Sequence, residues 1–282
     1  MAVTIFDETQ CALGEGPLWH PLREQFFWFD INAKQLLSRK DGVRKMWQFN
    51  EQVSAAGWVD ENTLLICSET AFLKFDIESG EQEIVAPLEA DNSDTRSNDG
   101  RADPQGGFWI GTMGKTAKKD AGAIYRYYRG EVRCIYPNVT IPNSICFSPD
   151  GGIAYYADTK DKQIMCQKLD AEGWPFGAPA VFIDMVEDGL SPDGSVVDSE
   201  GCLWNAQWGS SRIARYSNQG KFLTAIDIPA AKQTTCPAFG GIDLQTIYVT
   251  SAADGDDSEN AGKTFAILPR GVVGQKEHQV IL

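Results

Sequence analysis

A turn followed by a short apolar or aromatic run occurs six times along this chain, beginning at His20, Asp60, Asp103, Ser148, Asp198 and Asp243. The successive spacings are 40, 43, 45, 50 and 45 residues. Repeats of this length mark architectures in which one supersecondary unit cannot bury its own apolar face and packs on copies of itself. Each run leads through a polar turn into a second stretch rich in β-branched or aromatic residues, such as Ile124-Tyr125-Arg126-Tyr127 or Arg212-Ile213-Ala214-Arg215-Tyr216. A closing turn such as Ser79-Gly80 or Gln219-Gly220 ends the unit, and no amphipathic helix of ordinary length interrupts the pattern. Six units of about 47 residues consume the whole chain. The expectation is therefore an all-β fold, a six-bladed β-propeller with four-stranded blades around a central channel, residues 1–282 forming a single domain. Val3-Thr4-Ile5-Phe6 precedes the first unit and is expected to pair with the strands near Phe265-Ala266-Ile267, latching the ring.

Composition removes several functional classes. With 25 Lys and Arg against 39 Asp and Glu, the net charge of −14 disfavours phosphate backbones and anionic membranes, and no basic patch is segregated. Neither nucleic acid nor membrane is an expected partner. The N-terminal residues lack a basic leader and a long apolar run, and no run of about 18 apolar residues occurs, so a soluble cytoplasmic protein is expected. Seven cysteines without a Cys-x-x-Cys pair read as free, mostly buried thiols in a reducing compartment. Two histidines, His20 and His278, are too few for a His-rich zinc site and argue against a Ser-His-Asp triad. A metal here must be held chiefly by oxygen.

Equivalent positions in successive blades project to equivalent places around the channel. Five residues before each repeat start stand Glu15, Ala55, Asn98, Asn143, Asp193 and Ala238. Four of these six carry carboxylate or carboxamide oxygen, the ligand type a hard divalent cation demands. Ala55 and Ala238 are expected on the same channel wall without coordinating anything. Other candidates carry less. The acidic run Asp254–Asn260 lacks the glycine and glutamate positions of a calcium loop and reads as a solvated rim loop. His20 reads as a turn cap, and Trp28, Trp109 and Trp204 as packing between blades.

Taken together and in order, four segments resemble the SMP-30/gluconolactonase/regucalcin-like family, and within it the bacterial sugar lactonases. They are Leu13-Gly14-Glu15-Gly16-Pro17-Leu18-Trp19; Arg96-Ser97-Asn98-Asp99-Gly100 with Asp103 and Gly111-Thr112-Met113; Pro142-Asn143-Ser144; and Ser191-Pro192-Asp193-Gly194-Ser195-Val196-Val197-Asp198. The resemblance implies a six-bladed propeller with one functional divalent metal at the top of the channel, calcium first, with zinc, manganese, magnesium and ferrous iron as alternatives. It implies Glu15, Asn143 and Asp193 as metal ligands, Asn98 near metal and substrate, and Arg96 as a substrate-binding residue. No organic cofactor is expected. Two departures stand out: Ser144 where the family commonly has glycine, and Thr116, within the 115–120 loop, where animal members carry a substrate-contacting glutamate.

The chemistry these parts imply is hydrolysis of a sugar lactone to the aldonic acid, in pentose or hexose oxidation, with the cation polarising the lactone carbonyl. Asp193 is the expected general base, with orientation of a metal-activated water as the alternative. The expected partner is the small lactone alone, the protein being a monomer or weak homo-oligomer. The rival readings are an organophosphate or aryl-ester hydrolase of the same fold, a non-catalytic calcium-binding regulator, and a propeller used only as a scaffold.

Overall fold

A computed structural model describes residues 2–282. Six four-stranded antiparallel sheets follow one another around a ring. The innermost strands, one per blade, are Gly14–His20, Val53–Trp58, Thr95–Ala102, Pro142–Phe147, Ser191–Val197 and Thr234–Gly240. Each contacts the innermost strand of the next blade, and the sixth returns to the first, so the ring closes on itself. Among the described residues no helix is long and apolar enough to cross a membrane.

The six sequence repeats become the second strands: Gln25–Asp30, Thr63–Ser68, Phe108–Gly114, Ile153–Asp158, Leu203–Trp208 and Thr246–Ser251. The residue that starts each repeat caps the turn before it. Asp60, Asp103, Asp198 and Asp243 accept the backbone N–H two residues on at 2.9–3.2 Å. Ser148 accepts from Ile153 and His20 from Arg23. Recurrence of a side-chain acceptor at this point is thus a demand of the turn itself.

Inner strands are buried nearly end to end, on both faces, whereas outer strands such as Val43–Gln48 and Phe222–Asp227 are mostly exposed. That gradient explains why the inner strands show no apolar–polar alternation. The core fills the spaces between neighbouring sheets. Phe27, Phe29, Leu64, Ile66 and Phe75 join the first two blades, and Trp204, Phe239, Ile247 and Phe265 join the last two. Trp28, Trp109 and Trp204 are fully buried in such clusters, as expected. The sixth blade takes Val3–Asp7 as its outer strand, Val3 opposite Ile267 and Ile5 opposite Phe265, which is the expected latch.

All six inner strands carry a one-residue bulge against their second strand. A bulge breaks the period of two and re-aims side chains. In the first blade it occupies Gly16-Pro17, in the third Asn98-Asp99, in the fourth Ser144-Ile145 and in the fifth Asp193-Gly194. Gly16 has φ +54°, and a Cβ there would lie 2.1 Å from the Ser54 carbonyl oxygen. Only glycine fits at that crossing of two blades.

Candidate active site

The bulges bring the predicted residues together at the start of the inner strands, at one end of the channel. Glu15, Arg96, Asn98, Asn143 and Asp193 line one cavity of about 350 Å³, together with Leu13, Met113, Ile141, Thr159, Lys160, Lys162, Ser191 and Trp208. They come from four different blades and are all at least nine-tenths buried.

A hydrogen-bonded chain fixes three of them. Arg96 Nη1 donates to Asn98 Oδ1 and to the Ser97 carbonyl, each at 2.8 Å. Asn98 Nδ2 donates at 2.9 Å to Asn143 Oδ1 and to the Pro142 carbonyl. Asn143 Nδ2 donates to Thr159 Oγ1 at 2.8 Å, and Thr159 passes its own proton to the Pro192 carbonyl at 2.7 Å, beside Asp193. Arg96 is therefore held inside the cavity. Asn98 spends both amide protons within the protein, so it orients Arg96 and Asn143 as well as lining the wall.

Glu15 and Asp193 are two carboxylates buried at one cavity. Burial raises the proton affinity of both; the Asp99 charge adds to the effect at both, and Glu15 does so at Asp193. Arg96 opposes these effects, and burial lowers its own pKa to about 10, which leaves it cationic at neutral pH. Asp99, beneath them, is raised to about 6 by burial while accepting from the Ile145 N–H at 2.7 Å. Ionised together, such carboxylates repel at short range in a poorly solvated site. A divalent cation would remove that repulsion, and the donors available are hard oxygens: two carboxylates and Asn143 Oδ1, which keeps one lone pair beyond its bond from Asn98. The residues fit the group.

A second cluster, Asp198, Glu200 and Cys202, has metal-ligand composition. Arg215 Nη2 already lies 2.7 Å from Asp198 and 2.6 Å from Glu200. A guanidinium fills the place of a cation there, and Asp198 also receives Trp204 Nε1 at 3.0 Å. The acidic run near Asp254 is largely exposed, with Asp256 turned inward to cap Lys232 N and Ser258 N.

Ala55 and Ala238 depart from expectation. Both lie past the bulge, paired with Cys67 and Tyr248, and pack in apolar clusters between blades away from the cavity lining. Equal counting from the repeat start does not give equal register, because the strand between bulge and turn varies in length. In blades 2 and 6 the bulge residues are Ser54, and Thr235 with Cys236. Ser54 Oγ bonds Ser97 Oγ, and Thr235 Oγ1 bonds the Gly14 carbonyl. Thr116 is exposed and does not line the cavity, whereas Met113 does. Missed by sequence reasoning were Thr159, Lys160 and Lys162, which come from the turn after a second strand; the repeat start marks the turn before it and gives no signal there.

Residues 13–253 match the model of the SMP-30/gluconolactonase/LRE-like region. A putative sugar lactone lactonase of Rhizobium meliloti (strain 1021) is 38% identical over 269 residues, covering 92% of this chain and 91% of the relative. A 6-deoxy-6-sulfogluconolactonase of Pseudomonas putida is 32% identical over 256 residues, covering 88% and 86%. The crystal structure of a calcium-binding protein, regucalcin, from Agrobacterium tumefaciens superimposes with a TM-score of 0.96 at 39% identity, covering 100% of this chain and 98% of that one. A matched model over most of the length, relatives above 30% identity and the shared propeller together place this chain in the SMP-30/gluconolactonase/LRE-like family.

Proposed function

We propose that this protein hydrolyses a sugar lactone to its aldonate, with one divalent cation held by Glu15, Asn143 and Asp193. The observation that carries the reading is the convergence of these three oxygen donors with Arg96 and Asn98 around one cavity, each contributed by a bulged inner strand. Sugar lactonases among the relatives support the substrate class. Calcium is the first candidate, with zinc, manganese, magnesium and ferrous iron as alternatives. The buried thiols suit a reducing compartment, the cytoplasm.

When bound, the cation supplies electrophilic activation of the lactone carbonyl and compensates negative charge on its oxygen. Asp193, placed at the cavity by the fifth-blade bulge, would accept the proton of the attacking water at its carboxylate or orient that water. Arg96 donates to sugar hydroxyls or the ring oxygen through N–H groups not used by Ser97 and Asn98. Asn98 keeps Arg96 and Asn143 in register with one another. Met113, Ile141 and Leu13 supply the apolar wall.

The test is ring opening of D-glucono-1,5-lactone and pentonolactones by chelator-stripped protein, with separate additions of each cation. Turnover should appear only with cation, and Asp193→Ala should lower it by about 10³-fold while circular dichroism stays unchanged. Near-normal turnover by folded Asp193→Ala overturns the assignment. Paraoxon-like or aryl-ester turnover without lactone opening would select the rival hydrolase, and cation binding without any turnover the regulator.

A further inference from the structure

We propose that the preferred lactone carries a second, negatively charged group, a carboxylate, phosphate or sulfonate, and that Lys160 and Lys162 bind it. This rests on the lactonase reading and specifies its substrate class. Both lysines stand on the turn that follows Ile153–Asp158 in the fourth blade, and both line the cavity that holds Glu15, Asn143 and Asp193. Asp161, between them, faces elsewhere: it lines a separate hollow with Tyr136, Asn138 and Tyr156. The turn thus divides its charged residues, Lys160 and Lys162 on the cavity and Asp161 on the separate hollow.

The turn is built to stay in place. Asp158 accepts from Thr140 N, Ile141 N and Lys160 N at 2.6–3.1 Å, so its carboxylate is occupied by backbone. Thr159 is clamped between Asn143 Nδ2 and the Pro192 carbonyl, on the two strands that carry Asn143 and Asp193. Lys162 takes φ +56°, a left-handed conformation unusual for a non-glycine residue.

Neither lysine forms an ion pair among the described residues; Lys162 Nζ donates only to the Gly189 carbonyl at 3.4 Å. Only Lys45, Lys115, Lys232 and Lys263 of the fourteen lysines pair with carboxylates among the described residues, so what singles out Lys160 and Lys162 is their place on the cavity. In a chain of net charge −14, this cavity gathers three cationic side chains, Arg96 within it and Lys160 and Lys162 at its mouth, beside the carboxylates of Glu15 and Asp193. Sugar hydroxyls need no cation at that rim, since serine, threonine and asparagine satisfy them. An anionic substituent does, because charge-assisted bonds to ammonium groups offset its desolvation and the local field steers its approach. Glu15 and Asp193 lie deep and the lysines at the rim, so the substituent belongs at the end of the substrate remote from the lactone carbonyl.

The experiment compares kcat/KM for D-glucono-1,5-lactone, 6-phospho-D-glucono-1,5-lactone and D-glucaro-1,4-lactone on the cation-loaded protein. The second and third distinguish a phosphate from a carboxylate as the recognised group. At least one anionic lactone should be preferred by about tenfold or more at low salt, and the preference should shrink as NaCl rises from about 0.05 to 0.5 M. In the double variant K160A/K162A the anionic-to-neutral ratio should fall to within about twofold of one; K160E/K162E should bring it below one and K160R/K162R should keep it. Equal efficiency toward neutral and anionic lactones, or a preference that survives K160A/K162A, overturns the subsite while leaving the lactonase reading intact. Failure to open any of the three, and the pentonolactones as well, overturns both.

Discussion

Arg96 carries a cation into a buried cavity where the carboxylates of Glu15, Glu69 and Asp193 favour it and where a metal ion would oppose it. Its replacement tests the proposed division between substrate and metal residues. Arg96→Ala should lower kcat/KM for a good lactone by about 10- to 100-fold, while cation affinity changes little or rises as a nearby positive charge is lost. Unchanged kcat/KM with a parallel loss of cation affinity would contradict this division. His20 offers a titration remote from the site. It is fully buried, its Nε2 donating to the Asp60 carbonyl at 2.9 Å and its Nδ1 accepting from Arg23 N. Burial lowers its pKa from 6.5 to about 4. Between those values the unfolded chain binds more protons than the folded one, so unfolding free energy rises with pH across this window. The contribution is whole above about pH 6.5 and is lost as pH falls toward 4, by up to about 3 kcal/mol. Glu15, Asp99 and Asp193, whose proton affinities burial raises, pull the opposite way, so the test is a difference: urea titrations at pH 7.0, 6.0 and 5.0 should show wild type losing stability relative to His20→Gln as pH falls, and equal slopes in the two proteins would remove His20 from the account.

The bulged inner strand is the element that makes the site, because it turns chain regularity into a convergence of side chains. Its tightest point is Gly16, whose left-handed φ and 2.1 Å approach to the Ser54 carbonyl leave no room for a methyl group. Gly16→Ala should cost at least about 2 kcal/mol of stability and displace Glu15, weakening cation binding more than tenfold. Differential scanning calorimetry beside a calcium titration would check both; a variant with wild-type melting and affinity would show the bulge to be more compliant than its packing indicates. Gly194 repeats the constraint beside Asp193, where a Cβ would stand 2.3 Å from Cys236 Sγ.

On the scale of the whole molecule, two chain ends complete a ring that the repeats alone leave open. Val3–Asp7 supplies the outer strand of the sixth blade, with Phe6 packed 4.7 Å from Tyr248 and 5.5 Å from Phe26 between ring centroids. The last residues run across the channel end opposite the cavity: Gln275 Nε2 donates to the Phe147 and Val197 carbonyls, Val280 N to Trp58 and Ile281 N to Gly106. Glu277 reaches inward to pair with Arg101, both nearly buried. Removing one partner strands the other charge. Glu277→Ala should therefore lower unfolding free energy by about 3–5 kcal/mol, measurable in urea, and a loss below about 1 kcal/mol would mean that water reaches Arg101.

The architecture was legible in the sequence because a closed ring of like units imposes a like turn on each, and that turn needs an acceptor side chain at its start. His20, Asp60, Asp103, Ser148, Asp198 and Asp243 are those acceptors, so their spacing carried blade number and order. The site residues were legible by their common distance from these starts and by the resemblance of their segments to a family. That distance worked for Glu15, Asn98, Asn143 and Asp193 and failed for Ala55 and Ala238, since chain counting is blind to where a bulge falls. Lys160 and Lys162 could not be read at all: they are near Asn143 because Pro142 pairs with Asp158 and Asn143 with Ala157 in the fourth blade, a register that chain counting does not give. Sequence determined the repeat, hence the ring. Only the tertiary structure decided which side chains share its cavity, because that depends on bulge register and on contacts between blades far apart in the chain.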